Sequence, residues 1–264
     1  MPPSASPTIL IFDSGLGGVT VYREITRARP DARLVYVADD AAFPYGALPE
    51  DKLVARVLKV VGDAIERCRP DLVVIACNTA STLALGDLRA RFSVPFVGTV
   101  PAIKPACAQS QSKHVAVLGT QATVGREYTK ALIREFAAGC KVTLVGSAQL
   151  ATLAEAELNG RPASDKDIAN EITPCFVVED GRRVDTVVLA CTHYPLLLAR
   201  LWANAPWPVD WVDPAPAIAR RVVDLAGPNQ PGHAAARAQM LFTSGRQPSI
   251  ALATALKTYG FHFV

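Results

Sequence analysis

At 264 residues, 50% of them hydrophobic and 19% charged, the chain has the composition of a soluble globular protein, with room for one large α/β domain or two smaller ones. Its 27 Lys and Arg against 24 Asp and Glu leave a formal charge of +3, too small and too evenly spread for a nucleic-acid binder. No apolar run approaches the roughly 18 residues of a transmembrane helix, and the opening segment lacks the basic and apolar regions of an export signal, so the cytoplasm is the expected compartment and a membrane is not an expected partner.

Met1–Pro7 reads as a frayed terminus leading into the first strand. From there, apolar β-branched runs alternate with helical patterns, the signature of a parallel sheet covered by helices on both faces. Strands are expected at Thr8–Phe12, Leu34–Ala38, Leu72–Ala76, Pro95–Gly98, Val115–Leu118, Val142–Val145 and Thr186–Ala190. The clearest helix is Glu50–Arg69, where Leu53, Val54, Val57, Leu58, Val61 and Ile65 recur at spacings of three and four. Gly125–Ala138 is a second. Arg-Pro-Asp occurs at Arg29–Asp31 and again at Arg69–Asp71, each time stopping a helix before a strand. In the last third, Pro214–Ala226 and Ala234–Phe242 read as helices.

Six cysteines stand at positions 68, 77, 107, 140, 175 and 191, with no CxxC pair and no zinc-like spacing. In a reducing compartment they are judged singly, as thiols, with neither a disulfide framework nor a metal site expected. Two stand in similar surroundings. Val73-Val74-Ile75-Ala76-Cys77-Asn78-Thr79 resembles Val187-Val188-Leu189-Ala190-Cys191-Thr192-His193, and a weaker echo links Ile9–Ser14 with Val115–Thr120. The chain therefore reads as two related, pseudo-symmetric α/β domains, each a mostly parallel sheet flanked by helices and each with a thiol at the carboxyl end of a strand, where open α/β sheets bind ligands. The expected division is 1–98 plus 212–264, carrying Cys77, and 99–211, carrying Cys191, with the active site in the cleft between them.

Paired thiols suit one chemistry in particular. Inverting an α-carbon without a cofactor needs a base on one face and an acid on the other, and a thiol serves once a helix N-terminus or nearby charge favours its thiolate. The developing carbanion needs preorganised hydrogen bonds to the carboxylate. The remaining thiols, Cys68, Cys107, Cys140 and Cys175, read as packing residues, and His114, His233 and His262 carry no role. The glycine turn after Asp13 lacks the Lys of a P-loop and the GxGxxG of a dinucleotide fold, so nucleotide binding is not expected.

Phe12-Asp13-Ser14-Gly15-Leu16-Gly17-Gly18, Pro44-Tyr45-Gly46, Cys77-Asn78-Thr79-Ala80 and Cys191-Thr192-His193-Tyr194-Pro195 together resemble the motifs of bacterial glutamate racemases, of the cofactor-independent aspartate/glutamate racemase family. The resemblance runs from about residue 8 to about residue 220. It implies that Cys77 and Cys191 are the two acid–base residues, Cys77 facing the α-proton of the D-enantiomer and Cys191 that of the L-enantiomer. It implies that Asp13 and His193 assist the proton exchange of Cys77 and Cys191 respectively, and that Asp13 and Ser14 hold the substrate ammonium. Asn78, Thr79 and Thr192 would bind the α-carboxylate, with His193 close by, and Tyr45 and Gly46 the side-chain carboxylate through main-chain N–H groups. Glu155 matches the family's acidic residue near His193, but Ser147–Ala154 lacks the prolines and cysteine usual before it. The implied reaction is L-glutamate ⇌ D-glutamate with no metal or organic cofactor, supplying D-glutamate for peptidoglycan, and family analogy alone puts a homodimer among the partner states. Racemisation of another acidic amino acid such as aspartate, and a non-catalytic binding or regulatory protein on the same fold, stand as the alternatives.

Overall fold

The computed structural model of the chain describes residues 6–229 and 238–263. In chain order it forms β1 (Thr8–Asp13), α1 (Val19–Ala28), β2 (Arg33–Ala38), α2 (Glu50–Cys68), β3 (Leu72–Ile75), α3 (Asn78–Arg91), β4 (Phe96–Gly98), α4 (Ile103–Gln109), β5 (His114–Thr120), α5 (Gln121–Gly125) and α6 (Glu127–Phe136). These are followed by β6 (Lys141–Ser147), α7 (Leu150–Leu158), α8 (Asp165–Ile172), β7 (Val178–Glu179), β8 (Arg182–Arg183), β9 (Thr186–Ala190), α9 (Leu198–Asn204), β10 (Asp210–Val212), α10 (Ala215–Ala226), β11 (Gln239–Phe242) and α11 (Ile250–Lys257). The chain divides into two compact units, one running to Thr99 and resuming at Ala215, the other spanning Val100–Pro214.

The first unit holds a five-stranded sheet in the order β11-β2-β1-β3-β4, every pair parallel. Its central strands are buried on both faces, which explains their unbroken Ile, Leu, Val and Phe content. Leu53, Val57 and Val61 of α2 and Ala80, Ala84 and Leu88 of α3 pack on one face against Leu10, Phe12, Val73 and Ile75. The second unit holds a four-stranded parallel sheet, β10-β9-β5-β6, with a separate antiparallel hairpin of β7 and β8.

Taken in chain order and leaving the hairpin aside, the four successive strands of each unit are laid down as second-first-third-fourth: β2-β1-β3-β4 in one and β6-β5-β9-β10 in the other. The registers agree as well. Phe12 pairs with Ile75, so continuing the ladder sets Asp13 beside Ala76 and Ser14 beside Cys77. Gly119 pairs with Ala190, which sets Thr120 beside Cys191. The internal similarity legible in the sequence is thus a similarity of winding.

One expectation changes. The helix read over Ala234–Phe242 is not one in its described part: Gln239–Phe242 is strand β11, pairing with Val35–Ala38 of β2, and residues 234–237 lie outside the described residues, as does His233. Met1–Ser4 and Ala5 of the expected frayed terminus also lie outside them. The short strands β7, β8 and β10 had no distinct sequence signal.

The repeated Arg-Pro-Asp does more than end helices. Arg29 and Asp31, each 1% exposed, form a bidentate pair with N–O distances of 2.9 and 2.8 Å, and the same guanidinium donates to the carbonyls of Ala226, the last residue of α10, and of Gly227. At the second copy, Asp71 instead accepts the Thr8 amide at 2.8 Å, fastening the start of β1, and Arg69 ends α2 in the left-handed region at φ 44°. Removing one partner of a buried ion pair leaves an uncompensated charge. Arg29→Met is therefore expected to destabilise the protein by about 3–5 kcal/mol in urea unfolding, whereas Arg69→Met, at a helix end, should cost far less.

Candidate active site

In the first unit the site is built where β1 and β3 end. Cys77 is the N-cap of α3, extended at φ −81° and ψ 121°, and its sulfur accepts the Ala80 amide at 3.5 Å. That amide belongs to the first turn of a helix, where N–H groups lack internal partners and the helix dipole favours negative charge. Ser14 Oγ lies 3.6 Å from the Cys77 sulfur. The strand end itself is tied down: the Ile75 carbonyl accepts from Ser81 Oγ at 2.9 Å and Thr99 Oγ1 at 3.0 Å, and Ser81 Oγ accepts the Thr99 amide.

Asp13 is fully buried and accepts the Gly15 amide at 2.9 Å, so its turn is closed by its own carboxylate. Gly18 fits against this turn because it has no side chain. A Cβ there would stand 2.9 Å from Asp13 Cβ and from the Tyr36 hydroxyl and 3.0 Å from Ala76 Cβ. Asn78 and Thr79, the first residues of α3, are buried beside the thiol. Both polar atoms of the Asn78 side chain are without a hydrogen bond in the protein. A buried, unpaired amide costs about 1–3 kcal/mol, so it marks a place where a polar ligand group repays the loss.

Tyr45 and Gly46 open a single 3-10 turn, Tyr45–Ala47, whose first amides the turn itself leaves without acceptors. Gly46 is exposed, whereas the Tyr45 ring is buried and its hydroxyl donates to Asp39 at 2.5 Å. Asp39 also receives Arg56 at 2.5 Å and Thr243 Oγ1 at 2.6 Å, which ties the turn to α2 and to the residue after β11. Burial disfavours the ionised form of Asp39, but the hydrogen bonds from Arg56, Thr243 and Tyr45, with the Arg56 charge, outweigh it and hold the carboxyl below the usual carboxylate range. Burial, and then the Asp39 charge, push the Tyr45 hydroxyl well above the ordinary phenol range, so it is a neutral donor here. Asp39, Arg56 and Thr243 carried no signal in the sequence.

In the second unit Cys191 follows β9 directly and begins the segment that leads into the 3-10 turn Tyr194–Leu197. His193 Nδ1 lies 3.8 Å from the Cys191 sulfur, and Nε2 of the same ring lies 3.0 Å from Glu155 Oε1 on α7. Thiol, imidazole and carboxylate thus form a line of contacts. Thr192, between them in sequence, is buried. Glu155, which the sequence could assign only by resemblance, is brought to His193. Thr120, the counterpart of Ser14 by register, has its side chain accepting the Thr123 amide at 3.1 Å as the cap of α5.

The other thiols have different settings. Burial pushes Cys175 up to about 12, and burial, followed by contact with Cys140, does the same for Cys107. Neither is poised to form a thiolate near neutrality. Cys68 packs at the rim of the first core and Cys140 at the rim of another cluster of the second unit. His114 is buried, with its ring nitrogens on Thr143 Oγ1 and the Arg182 carbonyl, and His262 is exposed. Among the described residues no helix is long and apolar enough to cross a membrane, and no cluster of three or more His, Cys, Asp or Glu residues could hold a metal ion.

The family described as Asp/Glu/Hydantoin racemase matches residues 9–222, which include both thiols and every residue named around them except Thr243. The chain belongs to this family. It is 51% identical over 261 residues to the glutamate racemase of Brucella anthropi, covering 98% of this chain and 94% of that protein, and 48% identical over 265 residues to that of Brucella abortus, at 99% and 96% coverage. Among solved structures, Escherichia coli glutamate racemase, in complex with L-glutamate and the activator UDP-MurNAc-ala, aligns with a TM-score of 0.88 at 40% identity, covering 97% of this chain and 96% of that one. The mixed α/β architecture of parallel sheets flanked by helices is that of these enzymes.

Two outcomes test this geometry. Gly18→Ala must displace Asp13, Tyr36 or Ala76 and should cost about 1–3 kcal/mol in unfolding free energy, the range for overpacking a filled site. Because the folded-state pKa of Asp39 is depressed, its contribution to stability is present above the unfolded value of about 3.9 and is lost as pH falls through the folded value. Urea unfolding across the acid range should show Asp39→Asn less stable than wild type near neutrality, with the difference shrinking as pH falls below about 4.

Proposed function

We propose that the chain interconverts L- and D-glutamate by proton transfer at the α-carbon, with Cys77 and Cys191 as its two acid–base residues and neither a metal nor an organic cofactor. The observation that carries this reading is that the same strand of two identically wound sheets ends in a buried cysteine followed by polar residues. A protein that only bound an amino acid would need neither thiol.

From L-glutamate, the Cys191 thiolate takes the α-proton: the C–H bond breaks and an S–H bond forms. Cys77 gives its own proton to the opposite face, forming the new C–H bond and leaving a thiolate. From D-glutamate the roles reverse. The Ala80 amide favours the thiolate of Cys77. His193, backed by Glu155, takes up and returns the proton of Cys191, and Asp13 does so for Cys77. The buried amide of Asn78, with Thr79 and Thr192, binds the α-carboxylate, where the carbanion's charge accumulates and fixed donors are worth most. Asp13 and Ser14 hold the ammonium. The amides of Tyr45 and Gly46 receive the side-chain carboxylate, and the tie of Tyr45 to Asp39 fixes where they point. The product serves peptidoglycan synthesis in the cytoplasm, and family analogy extends the proposal to a homodimer.

The test is to incubate chelator-treated protein separately with L- and D-glutamate and with L- and D-aspartate and to follow optical rotation. Both glutamate solutions should decay to zero rotation, at rates well above those for aspartate. Cys77→Ser and Cys191→Ser should each lose at least about 10²-fold in kcat/KM, the lower range for acid–base catalysis. Near-wild-type turnover in either variant ends the two-thiol mechanism, and faster turnover of aspartate reassigns the substrate.

A further inference from the structure

The line from Cys191 through His193 to Glu155 depends on where α7 begins, because Glu155 lies in the second turn of that nine-residue helix. The N-cap residue of α7, Gln149, makes no side-chain cap. Two other residues do its work. Ser147, the last residue of β6, accepts the Leu150 amide on its Oγ at 3.0 Å. Glu171 of α8 accepts the Gln149 amide at 3.3 Å, and the Ser147 hydroxyl donates to the same carboxylate oxygen. Two otherwise orphaned amides at the start of α7 are thus satisfied, with a carboxylate at the positive end of the helix dipole.

The far end of the helix is also fastened. Glu157 receives Arg200 of α9 at 2.5 Å, and the same guanidinium reaches Asp165 at the start of α8. Around the cap stand the wholly buried Tyr194, whose hydroxyl makes no hydrogen bond of normal geometry, together with Cys175 and Cys191. Apolar packing alone allows a short helix to slide or fray, and a shift of a fraction of an ångström would part Glu155 from His193.

We propose that Ser147 and Glu171 are positioning residues for this proton-transfer line: by capping α7 they hold Glu155 against His193 and so keep the imidazolium form of His193 available to stabilise the Cys191 thiolate. The inference rests on the racemase reading for its catalytic meaning, but its geometry can be tested without turnover. In a Cys77→Ala background, the rate of alkylation of Cys191 by iodoacetamide is measured against pH by mass spectrometry of the peptide carrying residue 191. The same substitutions are then assayed for glutamate racemisation with Cys77 intact, and circular dichroism verifies that each variant is folded.

Glu155→Gln should move the alkylation midpoint upward, since the imidazolium loses its counter-charge. Ser147→Ala and Glu171→Ala should move it the same way and lower kcat/KM about fivefold to tenfold, the scale set by losing a helix cap. Glu171→Gln, which keeps an acceptor for both donors, should bring the midpoint back toward wild type. If Glu155→Gln shifts the midpoint while Ser147→Ala and Glu171→Ala both leave it at the wild-type value, the positioning role is overturned. It is equally overturned if Glu155→Gln itself has no effect. Should the wild type fail to racemise glutamate while these midpoints shift as stated, the racemase reading falls and the cap stands.

Discussion

Each of the two thiols proposed as acid–base residues sits where a strand buried on both faces gives way to a turn, and the rest of the proposed chemistry depends on that junction. The strand fixes the backbone on one side through parallel ladders to both neighbours, from β1 and β4 for β3 and from β5 and β10 for β9. The helical turn on the other side supplies amides that no strand can use. A thiol placed there is rigid at its backbone and meets donors at its sulfur. Few other places in an α/β sheet offer both, which is why ligand sites gather at the carboxyl ends of such strands.

Identical winding does not make the two thiols equivalent. Cys77 rests on the first turn of α3, with its sulfur accepting the Ala80 amide, and lies beside the Ser14 hydroxyl. Cys191 rests beside an imidazole that is itself backed by a carboxylate. An acid–base pair that must run in both directions needs each member to act as acid and as base, and in the proposed reaction two different settings meet this need. The cost of the second is structural: a histidine, a glutamate from a different helix, and the capping groups that hold that helix in register.

The fold was largely legible in the sequence because doubly buried parallel strands leave unbroken apolar runs. Thr186–Ala190 comes out with the bounds read from the sequence, and β1, β2 and β3 within a residue. What escaped are elements whose identity is decided by tertiary pairing. Gln239–Phe242 has no alternation and follows an alanine-rich stretch that reads as helix, yet it becomes a strand because the exposed edge of β2 accepts it. Residues grouped by adjacent sequence positions, such as Cys77 with Asn78 or Cys191 with His193, could be singled out from the chain itself. Glu155 could be named only through a resemblance, since 38 residues separate it from His193 and no spacing rule joins them. The clasp of Asp39 by Arg56, Tyr45 and Thr243 was invisible for the same reason, with Thr243 standing 204 positions after Asp39.

In the proposed reaction one sulfur removes the α-proton and a different sulfur supplies its replacement. Running the reaction from L-glutamate in D₂O to low conversion, separating the enantiomers and measuring the α-deuterium of each by mass spectrometry distinguishes this from a single carrier. Two thiols acting on opposite faces predict D-glutamate carrying a full complement of deuterium, while the L-glutamate that remains carries almost none. D-glutamate that retains the hydrogen of its L precursor would mean that one group carried the same proton from face to face, and would exclude a second sulfur as its donor.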